Sequence, residues 1–474
     1  MTASLPLPGI VRAHSIPQRI QRLHMVGIGG TGMCGIAEVL LSFGFEVSGT
    51  DLSSNEVTDR LISLGARVSQ GHGAEYLGDA QVVIISSAIG ADNPEVKEAV
   101  LKKIPVIRRA EMLGELMRLR WGIAVCGTHG KSTTTSMIGE ILTAAGFDPT
   151  IIVGGRLTGS KTGARVGQGD ILVAEADEYD KSFLQLAPIM AVATNMEPEH
   201  LECYGSFSEL KAAFKQFLGS VPFYGRVLIS SDDYNLREIK GDLQRPLTVF
   251  GFVEPATLRA RITGHENGCT HAEIIRNGES LGELHMRLPG VHNIQNALAA
   301  LAVAFELDVE WTVARDALQG FEGVHRRFEI VGEFDGVLLV DDYAHHPTEV
   351  RATLQAARDA YPDRRIVALL QPHLYSRTQR FVEEFAEALG AADLAIVMDV
   401  YASRETPIPG ISGELIARAV KRRTHPDVHY VAVDDTLGAI TRPLLKPGDL
   451  LITMGAGNVG RLGREMFEAT GGAA

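Results

Sequence analysis

Cysteine is scarce in this chain of 474 residues: there are four, Cys34, Cys126, Cys203 and Cys269, and no two lie closer than 66 residues. That spacing excludes Cys-x-x-Cys redox motifs and paired thiolate metal ligands, and it reads as free thiols in a reducing compartment. No apolar run approaches the roughly 18 residues that a membrane-spanning helix needs. The opening MTASLPLPGIVRAHSIPQRIQ has no apolar core of leader type. The expectation is a cytoplasmic protein with no membrane insertion. Basic residues are the minority, 45 against 58 acidic, which leaves a net charge of −13. Nucleic acid is therefore not an expected partner, because affinity there comes from neutralising phosphates. A small phosphorylated ligand held by local loops stays open. Internal repeats and low-complexity tracts are also lacking.

What remains is an ordinary globular composition, 45% hydrophobic and 22% charged. At about 150 residues per domain it predicts roughly three domains. Residues 22–51 read strand, glycine turn, helix, strand, and strands follow at 80–89 and 104–110. The helical EMLGELMRLR (111–120) serves as a linker region. A second unit starts with the buried strand WGIAVCG (121–127) and continues through strands at 169–178 and 189–197 alternating with helices. Residues 245–290 are richer in β character, and VHNIQNALAALAVAFELD (291–308) is a long helix. The third unit opens on a hairpin around Asp335-Gly336, a pair suited to a tight reversal, and then alternates helix and strand. The fold class is α/β in three consecutive domains: Rossmann-like, P-loop and Rossmann-like. Their expected bounds are 1–117, 118–323 and 324–474.

Two glycine-rich loops carry the chemistry. In GTHGKST, amides around Gly127, Thr128, His129 and Gly130 can face phosphate oxygens, Lys131 adds charge, and Ser132 offers a hydroxyl to Mg²⁺. The lead-in is short, since Cys126 stands four positions before Gly130. Glu175 and His200 follow the next apolar strands, where parallel sheets collect their chemistry. The plainer readings are a surface acid and a structural histidine. Earlier, Gly27, Gly29, Gly30 and Gly32 match G-x-G-x-x-G, and Asp51 ends the next strand nineteen residues after Gly32. That pattern fits a diphosphate attached to a ribose, in NAD or in a nucleotide-diphosphate sugar alike. The pattern recurs at Gly455–Gly460, where no acidic strand end can follow. Asn293 and Asn296 share one helix face and can meet a base edge. Arg326 and Arg327 can clamp phosphate or stay solvated. VDDYAHHPTEV (340–350) can hold a metal or cap a helix, and His373, Arg377 and Arg380 form a basic group suited to a carboxylate.

The stretches HMVGIGGTGM, GTHGKSTTT, AEADEYDKSF, TNMEPEHLE, PGVHNIQNALAA, GVHRRFE, DDYAHHPTEV and QPHLYSRT occur in an order that resembles the Mur ligases of bacterial cell-wall synthesis. The resemblance spans essentially the whole chain. It implies an ATP-dependent ligation of L-alanine to the carboxylate of UDP-N-acetylmuramate through an acyl phosphate, in peptidoglycan precursor synthesis. The alternatives are a sister ligase adding a recycled tripeptide to the same sugar, and an NAD-dependent dehydrogenase, which leaves GTHGKS unexplained. Under the resemblance Lys131, Glu175, His200 and Arg327 are catalytic. ATP meets Gly127, Thr128, His129, Gly130, Lys131, Ser132, Thr133, Asn293, Asn296, Arg327 and Asp342, and Mg²⁺ meets Ser132, Glu175 and His200. Gly27, Gly29, Gly30, Gly32, Asp51, His72, Ser86 and Ser87 take the UDP-sugar. Tyr343, His373 and Arg377 take the amino acid, in a C-terminal domain that closes over ATP. Two positions depart from sister ligases: Phe214, fourteen residues after His200, stands where some carry a carbamoylated lysine, and Leu374 where relatives often have a basic residue.

Overall fold

The computed structural model describes residues 20–155, 162–266, 268–403, 405–423 and 427–468. The opening stretch read for a leader lies, but for its last two residues, outside them. The secondary structure is mixed α/β, arranged as three sheets.

The first sheet has five strands in the order Arg67–Gln70, Glu46–Asp51, Arg22–Val26, Val82–Ile85, Val106–Arg108, all parallel. Strand order reverses beside Arg22–Val26, and the crevice outside such a switch point is where open α/β sheets bind ligands. Two of its helices start where side chains satisfy the first free amides. Asn55 caps Glu56–Ser63 with a reciprocal Thr58 contact, and Asn93 followed by Pro94 starts Pro94–Leu101.

The second sheet has ten strands in the order Glu279–Met286, Cys269–Arg276, Leu258–Glu266, Leu247–Gly251, Arg226–Ser230, Met190–Ala193, Trp121–Cys126, Ile171–Glu175, Thr150–Ile152, Ala164–Arg165. Trp121–Cys126 lies between Met190–Ala193 and Ile171–Glu175, parallel to both. The strands that flank it therefore deliver their carboxyl ends to the same edge.

The third sheet runs Glu329–Phe334, Val337–Asp342, Asp449–Met454, Arg365–Leu370, Leu394–Met398, Asp427–Val431. Its first pair is the expected hairpin, antiparallel around Asp335 at φ 47° and Gly336 at φ 75°. The other pairs are parallel.

The chain divides into two compact units. One holds the described residues up to 261 with 273–284 and 295–321; the other holds 262–272, 285–294 and the described residues from 322 on. The first two sheets share one hydrophobic core, in which Met33, Ile36 and Leu40 join Phe183, Phe214 and Phe217. Two local expectations need correction. The strand expected over 80–89 pairs only at Val82–Ile85, because the chain then turns, Ile89 N bonding back to Ser86 O. Within the helix–strand alternation expected of the third unit, the helical stretch RTQRFVEEFAEALG forms two helices, Tyr375–Arg380 and Val382–Leu389, broken where Phe381 leaves helical geometry at φ −117°, ψ 24°.

Candidate active site

Strand Trp121–Cys126 is buried along almost its whole length and feeds Gly127–Gly130 at its carboxyl end. Gly127 sits at φ 135° and Gly130 at φ 81°, regions where an L side chain is strained. Space also demands glycine there: a Cβ on Gly127 would overlap Thr194 Oγ1, and one on Gly130 would overlap Asn296 Oδ1. The neighbouring strand end stitches the loop in place. Asn195 Oδ1 accepts from His129 N at 2.8 Å, Asn195 Nδ2 donates to His129 O at 3.0 Å, and Glu197 N donates to Thr128 Oγ1 at 2.9 Å. Helix Lys131–Ala144 then begins with no acidic residue in its first turn and no side-chain cap. Its positive end is left for an anion, with Thr133 buried in that turn.

Lys131 folds back over the loop. Its Nζ donates to Gly127 O at 2.7 Å and to Glu178 Oε2 and Oε1 at 2.8 and 3.1 Å. Burial alone would lower its pKa, but Glu178, then Asp177 and Glu175, outweigh that and hold the ammonium above its ordinary value. The lysine is thus charged and stored against a carboxylate that is 1% exposed. Glu178 is held in turn by Tyr204, whose hydroxyl donates to its backbone oxygen at 2.6 Å. The next residues, Asp180 and Lys181, turn the chain through positive φ of 52° and 64°.

Glu175 pairs in register with Val125, at the level of the loop strand's end. One carboxylate oxygen accepts from Gly154 N at 2.9 Å. The Ser132 hydroxyl stands near enough to this carboxylate to favour its charged form, while Oε1 is buried with no hydrogen-bond partner among the described residues. Burial raises the Glu175 pKa, opposed by Ser132, the Gly154 amide and Lys131. An orphaned carboxylate oxygen beside a serine hydroxyl is a hard-oxygen donor set, which suits Mg²⁺. His200, at φ 54°, stands edge-on to Tyr179 at 5.2 Å, its Nδ1 3.6 Å from Glu202. Among the described residues no hydrogen bond joins it to Ser132 or Glu175. Phe214 is fully buried in the hydrophobic core, edge-on to Phe183 at 5.4 Å, and its ring offers no donor for a metal.

In the first sheet Asp51 Oδ2 accepts from Gly29 N at 2.8 Å, so the strand-end acid is tied to the glycine loop itself. Ser86 Oγ lies 3.3 Å from where a Gly27 Cβ would stand, and Ser87 is exposed beside it. His72 is anchored from behind. Its Nδ1 lies 2.7 Å from Glu95 Oε1, whose other oxygen is 2.6 Å from His24 Nε2, and Thr50 Oγ1 donates to the same carboxylate. Burial would raise the Glu95 pKa, but hydrogen bonds from His24, Thr50 and His72 bring it below the ordinary value.

In the third sheet Tyr343, His373 and Arg377 come together. His345 stands edge-on to Tyr343 at 5.1 Å and to His373 at 5.6 Å, and Arg377 Nη1 is 3.2 Å from His373 Nδ1. Arg327 lies over the Tyr343 ring at 5.2 Å. Asp342 is occupied: its oxygens accept from Phe328 N at 2.8 Å and Ala344 N at 2.7 Å, and burial pushes its pKa up to about 6. Arg326 has a structural role, donating to Gly455 O at 2.6 Å and Gly457 O at 3.2 Å, which ties down the second G-x-G-x-x-G. The two asparagines do separate jobs. Asn293 Nδ2 donates to Pro289 O at 2.8 Å at the helix start, and Asn296 Oδ1 accepts from Thr134 Oγ1 at 3.2 Å against the phosphate loop.

Three family segments match in order: the Mur ligase family catalytic domain over residues 22–121, the Mur ligase middle domain over 125–304, and the Mur ligase glutamate ligase domain over 326–457. The chain belongs to the Mur ligase family. A UDP-N-acetylmuramate–L-alanine ligase of Salinibacter ruber is 47% identical over 460 residues, which are 96% of this chain and 97% of its own. The enzyme of that name in Syntrophobacter fumaroxidans is 46% identical over 94% of this chain and 95% of its own. Among solved structures, the UDP-N-acetylmuramate-alanine ligase of Thermotoga maritima superposes with a TM-score of 0.79 at 29% identity, covering 94% of this chain and 98% of that one. A murein peptide ligase of Psychrobacter arcticus shares the fold, with a TM-score of 0.69 at 23% identity over 96% of this chain and 99% of its own.

Within this Mur ligase the motifs did not point to Glu178, Asn195 or Glu95. Glu178 sits in the acid-rich stretch that already supplied Glu175, so its proximity to Lys131 had no signal of its own. Asn195 lies within the quoted TNMEPEHLE, whose reading rested on His200.

Proposed function

We propose that this Mur ligase joins L-alanine to the carboxylate of UDP-N-acetylmuramate at the expense of ATP, giving UDP-N-acetylmuramoyl-L-alanine, ADP and phosphate. The observation that carries this reading is the pairing of a stored ammonium, Lys131, with a loop whose glycines are required by shape, beside Ser132 and the orphaned oxygen of Glu175. A separate glycine loop sits at the switch point of another sheet. A carboxylate is a poor acyl donor because its charge is delocalised and it lacks a leaving group. Phosphorylation supplies one, and the amine of alanine then displaces phosphate.

We assign the domains as residues 1–117 for the UDP-sugar, 118–323 for ATP and 324–474 for the amino acid. Gly127–Gly130 and the helix end hold the phosphates of ATP, and Lys131 leaves Glu178 to steady the transferring phosphoryl group electrostatically. Thr133, Asn293, Asn296, Arg327 and Asp342 complete the ATP set. Ser132, Glu175 and His200 would hold Mg²⁺, which when bound neutralises phosphate charge. Gly27–Gly32, Asp51, His72, Ser86 and Ser87 take the UDP-sugar, and Tyr343, His373 and Arg377 take alanine.

Purified protein with ATP, Mg²⁺ and UDP-N-acetylmuramate, offered a panel of amino acids and the recycled tripeptide, is expected to give the alanyl product by mass. Turnover of the tripeptide without alanine would overturn the reading. Lys131→Ala should abolish product while UDP-sugar binding survives.

A further inference from the structure

Arg109 opens the helix Arg109–Arg118, and its half-buried side chain lies across Gly32 in the first turn of helix Thr31–Ser42. A Cβ on Gly32 would stand 2.7 Å from Nη1 and 3.0 Å from Cζ of that arginine. The same side chain lines a cleft with Gly154, Glu175, Asp177 and Ser182. Among the described residues no carboxylate or carbonyl pairs with it, whereas Arg22, Arg60 and Arg118 of the same sheet region are each matched to an acid. The guanidinium therefore stands between the glycine loop and the acids of the phosphoryl-transfer site with its charge unanswered.

A partly desolvated, unpaired guanidinium is costly unless an anion arrives to complete it. Its planar fork matches two oxygens of a phosphate or a carboxylate. A sugar nucleotide whose diphosphate rests on Gly27–Gly32 must extend past this position if its acid is to reach Glu175. We infer that Arg109 is an anion-binding residue for the sugar nucleotide, gripping either its diphosphate or its carboxylate. This rests on reading the first glycine loop as the UDP-sugar site.

Equilibrium titration of the full chain with UDP, UDP-N-acetylglucosamine and UDP-N-acetylmuramate tests it, in wild type, Arg109→Ala and Arg109→Lys, with thermal melts as the folding control. Loss of a charge-assisted hydrogen bond should weaken UDP-N-acetylmuramate by about 10- to 100-fold in Arg109→Ala, with ATP affinity unchanged. If the carboxylate is the partner, UDP and UDP-N-acetylglucosamine are unaffected; if the diphosphate is, all three weaken alike. Arg109→Lys keeps the charge without the fork and should fall between; it carries the test should the alanine variant misfold. Wild-type affinity for all three ligands in a folded variant overturns the inference. A wild-type chain that binds none of the three overturns the reading of the loop itself, and the inference with it.

Discussion

Replacing Lys131 by methionine removes one partner of a buried ion pair and leaves Glu178, 1% exposed, with its charge uncompensated. Breaking such a pair costs about 3–5 kcal/mol, and the lost hydrogen bond to Gly127 O adds about 1 kcal/mol. Since a domain of 150–250 residues loses roughly 2–4 °C per kcal/mol, the melting temperature should drop by about 8–24 °C. Inactivity of Lys131→Met would then be ambiguous between lost chemistry and lost structure. The double variant Lys131→Met/Glu178→Leu separates them. Exchanging both charges for apolar side chains of similar size should restore at least half of the lost melting temperature, with product formation still absent. Glu178→Gln alone should tighten ATP binding, because the lysine no longer has to be drawn off a full negative charge. Differential scanning fluorimetry, product mass and a fluorescent ATP analogue read the three quantities. A Lys131→Met protein that melts like wild type would refute the stored pair, and a double variant that makes product would refute the role of the lysine.

Glu175→Gln should raise the Mg²⁺ concentration needed for half-maximal ATP binding by about tenfold or more, since a ligand charge is lost while the Gly154 amide keeps its acceptor; an unchanged Mg²⁺ titration counts against Glu175 as a ligand. Gly130→Ala places a Cβ at positive φ and against Asn296, so ATP binding should fall at least tenfold; normal binding would mean the loop adapts freely. Asp342 has its pKa raised to about 6 from an ordinary 3.8, so the folded chain holds that proton more tightly than the unfolded one. The stability this contributes is present at low pH and lost as pH rises through about 6, on the order of 3 kcal/mol. The melting-temperature gap between wild type and Asp342→Asn should accordingly narrow from pH 5 to 7.5, and a constant gap would show that Asp342 ionises freely.

The fold was largely readable because its signals are local. Asp335-Gly336 specifies a tight reversal through φ alone, and strands such as Trp121–Cys126 and Ile171–Glu175 announce themselves as short apolar runs. Where the reading slipped, a neighbour out of sequence had decided the matter. Phe381 continues a helical pattern, yet its ring packs against His346 at 4.9 Å, and the helix breaks there. The strand expected through 80–89 carries two serines, Ser86 and Ser87, in its second half, and its pairing stops at Ile85 opposite Arg108.

The site divides along the same line. Parallel strands expose their carboxyl ends at one edge, so Glu175 could be placed beside the phosphate loop without knowing any contact. That rule says where a residue lies and is silent about which charge it faces. Lys131 meets Glu178 because two consecutive non-glycine residues, Asp180 and Lys181, turn back through left-handed geometry and Tyr204 pins the backbone from another helix. Likewise Asn195 bonds His129 across a separation of 66 residues. A lysine in a phosphate loop reads as a waiting cation whatever surrounds it. Only the fold shows the ammonium paired with a second acid, and under the proposed function ATP would have to compete with that acid for it.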